Sequence, residues 1–325
     1  MRLATLRDGT ADGRLVVVSR DGARAIDARA AAASLRAALD DWERTAPSLE
    51  QLAIALEKGS PAAFELDIAA LAAPLPRATE WVDASAYLNH VRLVRRARNA
   101  APPPTLETDP LVYQGGSSDM LGSREPFRLV DESYGLDFEA ELAVVLGDTP
   151  QGTRASAASA HVRLFVCLND WTYRQLVPDE LAKGFGFFCS KPATSFAPFA
   201  VTPDELGDAW HDGRLEGAMR CVIDGERVGD PRTGAEMHFS FFQLIEHICK
   251  TRRFGAGTIL GSGTISNQAP ERGVSCLQER RAIETIEHGV ASTPFLRAGS
   301  KVEIELQLPD GRTPFGRLEQ RVVAC

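Results

Sequence analysis

The sequence predicts an α+β protein rich in strand, with a small N-terminal domain over residues 1–75 and a larger domain over residues 76–325. Three observations predict it. Short apolar runs bounded by Gly, Asp and Pro greatly outnumber stretches with helical spacing. Strands and helices do not alternate strictly, which argues for a mixed, mostly antiparallel sheet over a doubly wound one. Pro61, Pro74 and Pro76 close the first region, and the pattern changes character after them.

The chain opens with the alternating run Arg2–Leu6 and the apolar run Leu15–Val18, punctuated by the turn pairs Asp8-Gly9 and Asp21-Gly22. Short antiparallel strands are expected there. Residues 30–58 switch to helical spacing through Leu35, Leu39, Trp42, Leu49, Leu52, Ile54 and Leu56. A helix fits 83–98, and the Ala101-Pro102-Pro103-Pro104 stretch after it must be extended. Strand-type runs follow at 111–113, 138–146, 162–168, 196–201, 219–223, 258–260 and 302–308, interrupted by helices at 172–182 and 240–251.

Bulk properties exclude several functions. With 325 residues, 44% of them hydrophobic, the chain can bury a substantial core. A net charge of −8 repels phosphate backbones and anionic lipid, so neither nucleic acid nor a membrane surface is an expected partner. A small anionic substrate remains open, because a local cluster of Arg or Lys can override a modest global field. The six cysteines show no CxxC pair and read as buried small hydrophobes or idle thiols in a reducing compartment. A thiol nucleophile at Cys189 or Cys276 is the less favoured reading. The opening residues lack the apolar run of a signal peptide, and no segment nears the ~20 apolar residues of a membrane span. A cytoplasmic protein is expected.

Four carboxylates and a histidine stand out. Asp83 sits where a helix N-cap would, and His90, seven residues on, falls within roughly 20° of it on one helix face. Taken alone, a capping Asp and a solvated His is the plainer reading. In Leu136-Asp137-Phe138-Glu139-Ala140-Glu141, Glu139 and Glu141 point to the same side of a strand that then turns apolar. Paired like charges there are costly unless a cation neutralises them. The apolar run 164–168 ends in Asn169-Asp170, which puts a carboxylate at a strand tip. Asp83, Glu139, Glu141 and Asp170 would make an all-oxygen site for Mg²⁺, Mn²⁺ or Ca²⁺ rather than zinc. Lys191 is a lone cation in an apolar stretch, suited to an anion or an enolate oxygen, or else a snorkelling surface lysine. Gly261-Ser-Gly263-Thr264 follows a strand and offers backbone N–H groups and hydroxyls to an anion, without the ending of a P-loop. In Cys276-Leu-Gln278-Glu279-Arg-Arg, an acid could orient a histidine, although charged surface is its commoner meaning.

The order of these pieces along the chain carries more than any one of them. Asp83…His90, Tyr113 with Gly115-Gly116-Ser117-Ser118, Glu139-Ala-Glu141, Asn169-Asp170-Trp171, Lys191 and Gly261-Ser-Gly-Thr264 together resemble the fumarylacetoacetate hydrolase family over roughly residues 78–310. The resemblance implies a mixed β-roll for the main domain, an SH3-like barrel for the N-terminal segment, and a homodimer. It implies that Glu139, Glu141 and Asp170 hold Mg²⁺ or Ca²⁺, with Mn²⁺ as a further choice, and that Asp83 adds a fourth carboxylate. By the same resemblance His90 activates water, Lys191 and the metal stabilise an enolate, and Tyr113 and Thr264 contact substrate. The acid that orients His90 falls at Gln278 or Glu279, and the substrate-binding arginine at Arg96 or Arg98. A further substrate glutamine falls at Gln175, with a spacing that departs from the family pattern. The implied activity is hydrolysis of a C–C bond in a dicarboxylic or β-diketo acid such as fumarylacetoacetate or an acylpyruvate. The alternatives are a decarboxylase, hydratase or isomerase of an aromatic-degradation intermediate, or a relative that binds a small acid without turnover.

Overall fold

In a computed structural model describing residues 1–325, the chain opens with β1 (Arg2–Leu6), β2 (Arg14–Val18) and β3 (Arg24–Asp27), joined at the two Asp-Gly turns. Helices α1 (Leu35–Asp40) and α2 (Trp42–Glu57) follow, then β4 (Phe64–Glu65). Next come β5 (Trp81–Ala84), α3 (Leu88–Ala97), β6 (Val112–Gly115) and β7 (Phe127–Leu129). The middle of the chain holds β8 (Leu136–Asp137), β9 (Ala140–Leu146), β10 (Val162–Asp170), β11 (Thr172–Tyr173) and α4 (Val177–Ala182). After these lie β12 (Thr194–Phe196), β13 (Ala200–Val201), α5 (Pro203–Leu206), β14 (Trp210–His211) and β15 (Arg214–Leu215). The remainder is β16 (Ala218–Ile223), β17 (Glu226–Gly229), α6 (Phe241–Ile248), β18 (Thr258–Gly261), α7 (Leu277–His288), β19 (Lys301–Gln307) and β20 (Leu318–Ala324).

The large sheet runs β4-β3-β2-β1-β13-β10-β9-β18-β5-β6, with β12 also against β10. Only its β18–β5 pair is parallel. A second sheet runs β17-β16-β19-β20-β7. The mixed, mostly antiparallel architecture is the one the short apolar runs predict. The N-terminal strands continue into the large sheet through β1–β13 and do not close as a barrel of their own.

Strands β9 and β10 form the centre, with Val144 opposite Phe165 and Val145 opposite Leu164. Leu142, Val144, Phe165 and Cys167 face one core, shared with α6 and the second sheet. Ala143, Val145, Leu164, Val166 and Leu168 face another, shared with β1, β2, α1 and α2. A strand buried on both faces reads as a continuous apolar run, which is why 142–146 and 164–168 stand out in the sequence.

Two expected helices change. The helix expected over 83–98 starts only at Leu88, because Trp81–Ala84 is held as a strand by parallel pairing to β18 and antiparallel pairing to β6. Asp83 is therefore a strand residue and not an N-cap. The helix expected from 172 starts at Val177, since Thr172 and Tyr173 pair with β8. The chain also has α7, which its charged sequence concealed.

Candidate active site

The site lies where the ends of β5, β9 and β10 meet the starts of α3 and α7. Parallel pairing sets Gly261 opposite Asp83. A Cβ on Gly261 would stand 2.2 Å from Asp83 Oδ1, so glycine there makes room for the carboxylate. Gly263 has φ +75°, and a Cβ on it would stand 2.2 Å from the Ala84 carbonyl oxygen. Its N–H donates to Asp83 Oδ1 at 3.0 Å. The Gly-Ser-Gly-Thr turn thus holds an anion of its own chain, whereas the sequence suggested a bound one.

Asp83, Glu141 and Asp170 converge, with one oxygen from each within 4.8 Å of the others. All three are buried. Both oxygens of Glu141 lack any hydrogen-bond partner. Burial, reinforced by the Asp83 and Asp170 charges, drives the Glu141 carboxyl well above its usual range. Burial and Asp170 push Asp83 up to about 8. Buried carboxylates in this state must take up a proton or a cation. The residues therefore fit a hard divalent ion, because the donor set is all oxygen and one member has no other partner.

Glu139 faces the same cavity but is engaged differently. Its oxygens accept from Arg174 Nη2 at 2.7 Å and Lys191 Nζ at 2.5 Å. Burial opposes its charge, but Arg174 and Lys191 outweigh that and hold the carboxyl well below its usual range. The Asn169 side chain accepts the Glu139 backbone N–H at 2.9 Å, which ties this segment to the end of β10. Lys191 is buried, not snorkelling, and also donates to Asp170 Oδ2 at 2.6 Å. Tyr113 donates its hydroxyl to the same Asp170 oxygen at 2.6 Å, and Phe187 stacks edge-on against Tyr113.

His90 lies on the first turn of α3, and α7 brings Glu279 to it: Nδ1 is 3.8 Å from Glu279 Oε2. Glu279 is buried, its other oxygen held by Ser266 and Asn89. Of the two candidates, Glu279 faces the histidine while Gln278 lines the cavity. Asp137 sets the position of α7 by accepting the Leu277 and Gln278 N–H groups at 2.7 and 2.9 Å. Arg174 Nε donates to Asp137 at 2.8 Å, so one guanidinium joins the start of α7 to Glu139.

Asp83, His90, Arg98, Tyr113, Glu139, Lys191 and Thr264 line one cavity of about 280 Å³, and Glu141 and Asp170 adjoin it through Asp83, Tyr113 and Lys191. Of the two expected arginines, Arg98 lines it and Arg96 does not. Gln175 is not part of it: the side chain is exposed and lies by Gly135, while Val177 takes a place in the wall. Sequence reasoning missed Arg174, Asp137, Ser266 and Asn89. Arg174 stands four residues after Asp170 and Asp137 two before Glu139, a proximity that was the available signal.

The model described as fumarylacetoacetate (FAA) hydrolase C-terminal matches residues 79–323, and fumarylacetoacetase N-terminal domain 2 matches residues 1–77. The chain belongs to the fumarylacetoacetate hydrolase family. Within that family it is 27% identical over 162 residues to the mitochondrial oxaloacetate tautomerase fahd2 of Xenopus laevis, covering 48% of this chain and 47% of that one. The chain thus spans about half the length of that relative. It is 26% identical to the oxaloacetate tautomerase YisK of Bacillus subtilis, over 80% of this chain and 75% of that one. With the fumarylacetoacetase of Bos taurus it shares 27% identity over 69% of this chain and 64% of that one. Among solved structures, maleylpyruvate hydrolase from Sphingobium sp. SYK-6, in complex with manganese(II) and pyruvate, has TM-score 0.67 at 17% identity, covering 100% and 99%. The 5-carboxymethyl-2-hydroxymuconate delta-isomerase of Mycobacterium smegmatis has TM-score 0.63 at 18% identity over the whole of both chains. These likenesses bear out the family fold.

Proposed function

We propose that this member of the family is a metal-dependent hydrolase that cleaves a C–C bond in a small β-diketo acid. The observation that carries the proposal is a pair of chemistries at one cavity: the buried carboxylates Asp83, Glu141 and Asp170, of which Glu141 has no hydrogen-bond partner, beside Lys191, together with the His90–Glu279 pair. A divalent ion held by Asp83, Glu141 and Asp170 supplies Lewis-acid polarisation of a keto acid when bound. The bound manganese and pyruvate of the Sphingobium hydrolase support the ion and the keto-acid class.

With Nδ1 turned to Glu279, Nε2 of His90 is the nitrogen left to take a proton from water, and Glu279 stabilises the imidazolium that results. Lys191 is held charged by Asp170 and Glu139 despite its burial, and can donate to an oxygen that gains negative charge. Arg98 in the lining attracts a substrate carboxylate, and Tyr113 and Thr264 offer hydroxyls. Keto–enol tautomerisation is the second reading, favoured by the oxaloacetate tautomerases among the relatives. It needs the same histidine and lysine to move a proton between carbon and oxygen, but no attacking water.

The test is to follow an acylpyruvate, fumarylacetoacetate and oxaloacetate with purified protein, adding Mg²⁺ or EDTA. Hydrolysis predicts metal-dependent loss of the diketone with two acid fragments as products. Enol–keto exchange of oxaloacetate without fragmentation of either diketone would replace hydrolysis by the tautomerase reading. His90→Ala should lower turnover by about 10²–10⁴-fold, the usual worth of a general base, while metal affinity stays near that of the parent.

A further inference from the structure

We propose that His90, Cys276 and Glu279 form a second, softer metal site, which takes a thiophilic divalent ion such as Zn²⁺ or Cd²⁺ and thereby disables the histidine. Cys276 Sγ lies 4.0 Å from His90 Nδ1, and Glu279 Oε2 lies 3.8 Å from the same nitrogen. The three donor atoms all fall within 4.8 Å of one another. Tetrahedral zinc, with bonds of about 2.3 Å to sulfur and about 2.0–2.2 Å to nitrogen and oxygen, spaces its donors roughly 3.3–3.6 Å apart. The two distances to His90 Nδ1 need to shorten by about half an ångström to reach that spacing.

A second, independent feature points to a ligand. Glu279 is 2% exposed, yet its Oε2 has no hydrogen-bond partner and is aimed at the gap beside His90 and Cys276. The other oxygen is anchored by Ser266, and the sulfur accepts the Glu279 N–H at 3.4 Å, so two donors are already fixed on the first turn of α7. His90 lines the cavity with its side chain 16% exposed, which leaves a path for the ion and room for a fourth ligand.

Donor softness separates this site from the carboxylate cluster. Sulfur and imidazole favour zinc and cadmium, whereas three carboxylates favour magnesium, calcium or manganese. Binding converts the Cys276 thiol to a metal-bound thiolate and releases its proton to solvent, with no change of oxidation state. Metal on Nδ1 removes the contact with Glu279 and withdraws electron density from the ring, so Nε2 no longer serves as a base. The site does not depend on whether the reaction is hydrolysis or tautomerisation.

The experiment is a Cd²⁺ titration of the full chain under saturating Mg²⁺, in a background where the exposed thiols are removed as Cys189→Ser and Cys325→Ser. The thiolate-to-cadmium ultraviolet band should appear at one equivalent and should be lost on adding Cys276→Ser. Serine can still cap α7, so this variant should keep its turnover without Cd²⁺, and half-inhibition should need at least tenfold more Cd²⁺. His90→Ala, which leaves every thiol in place, should weaken the band's midpoint at least tenfold. A band that survives Cys276→Ser, or one unmoved by His90→Ala, or none in the background protein, overturns the proposal. Because the band is read without substrate, its failure is distinct from failure of the hydrolase reading.

Discussion

Glu141 is a buried carboxylate with no hydrogen-bond partner in its own chain. Its burial on β9 is tolerable only when it is protonated or ion-bound, and the two states predict opposite effects of Glu141→Gln. In metal-free protein the substitution should raise the melting temperature, since it removes a buried ionisable group. In the parent, Mg²⁺ at one hundred times its Kd should add about 2.7 kcal/mol of stability, and most of that gain should vanish in the variant. Melting curves with and without Mg²⁺ check both signs, and equal metal stabilisation of the two proteins would remove Glu141 from the ion's ligands. The Glu-x-Glu pattern made this residue legible, because like charges leading into an apolar strand require a cause. Asp83 shows the limit of such reading. An Asp ahead of a helical pattern looks like a cap, and only pairing with β18, some 180 residues distant in sequence, reveals a strand end. Gln175 misled in the same way: its place after Asp170 suggested the cavity, but the start of α4 turns it outward and leaves Val177 inside.

At the scale of elements, the parallel β5–β18 pair and the start of α7 present the acids, and each can be tested apart from them. Gly261→Ala places a methyl against Asp83 Oδ1 and the Trp81 ring, so the strand pair must part or the carboxylate must move. Metal affinity should fall about 10–100-fold, as when the support of a ligand is lost. Calorimetric titration with Mg²⁺ or Mn²⁺ measures it, and unchanged affinity would show that β18 does not position Asp83. Helix α7 was the element least legible in the sequence. Only Leu277, Glu279 and Ala282 are buried along its length, and one of those is an acid, so the apolar stripe that marks a surface helix is missing. Its far end is tied by Glu284, which accepts the Ser292 and Thr293 N–H groups at 2.6 and 2.9 Å. Slight burial opposes the charge, but these bonds and the Thr293 hydroxyl pull the carboxyl down to about 2. A carboxyl lower in the folded state stabilises fully above its unfolded value and loses that contribution as pH falls toward 2. Glu284→Gln should therefore lower the urea midpoint at pH 7 and leave it nearly unchanged near pH 2. An equal loss at both pH values would mean that charge is not what holds the end of α7.

Across the whole molecule, residues 1–77 and 79–323 match separate family models, yet they build one sheet and share one of its cores. Strand β1 pairs with β13, and Leu3, Leu15, Val17, Leu35 and Leu39 pack with Val145, Leu164, Val166 and Leu168 of the central strands. Those central strands end in the site: β9 carries Glu141 and β10 ends at Asp170. The apolar continuity of 142–146 and 164–168 foretold two buried faces without saying what covers each, because burial is written in a strand's own residues and its partner is not. Removing residues 1–77 would uncover the face formed by Val145, Leu164, Val166 and Leu168. Each such side chain is worth about 1.5–3 kcal/mol when buried, so uncovering all four approaches or exceeds the total stability of an ordinary domain. The full chain should therefore unfold in one calorimetric transition, and a chain of residues 78–325 should be insoluble or without tertiary near-ultraviolet dichroism. A second transition in the full chain, or a truncated chain that folds and binds Mg²⁺ with unchanged affinity, would show that the N-terminal segment stands apart. The site would then rest on β9 and β10 packed from one side only.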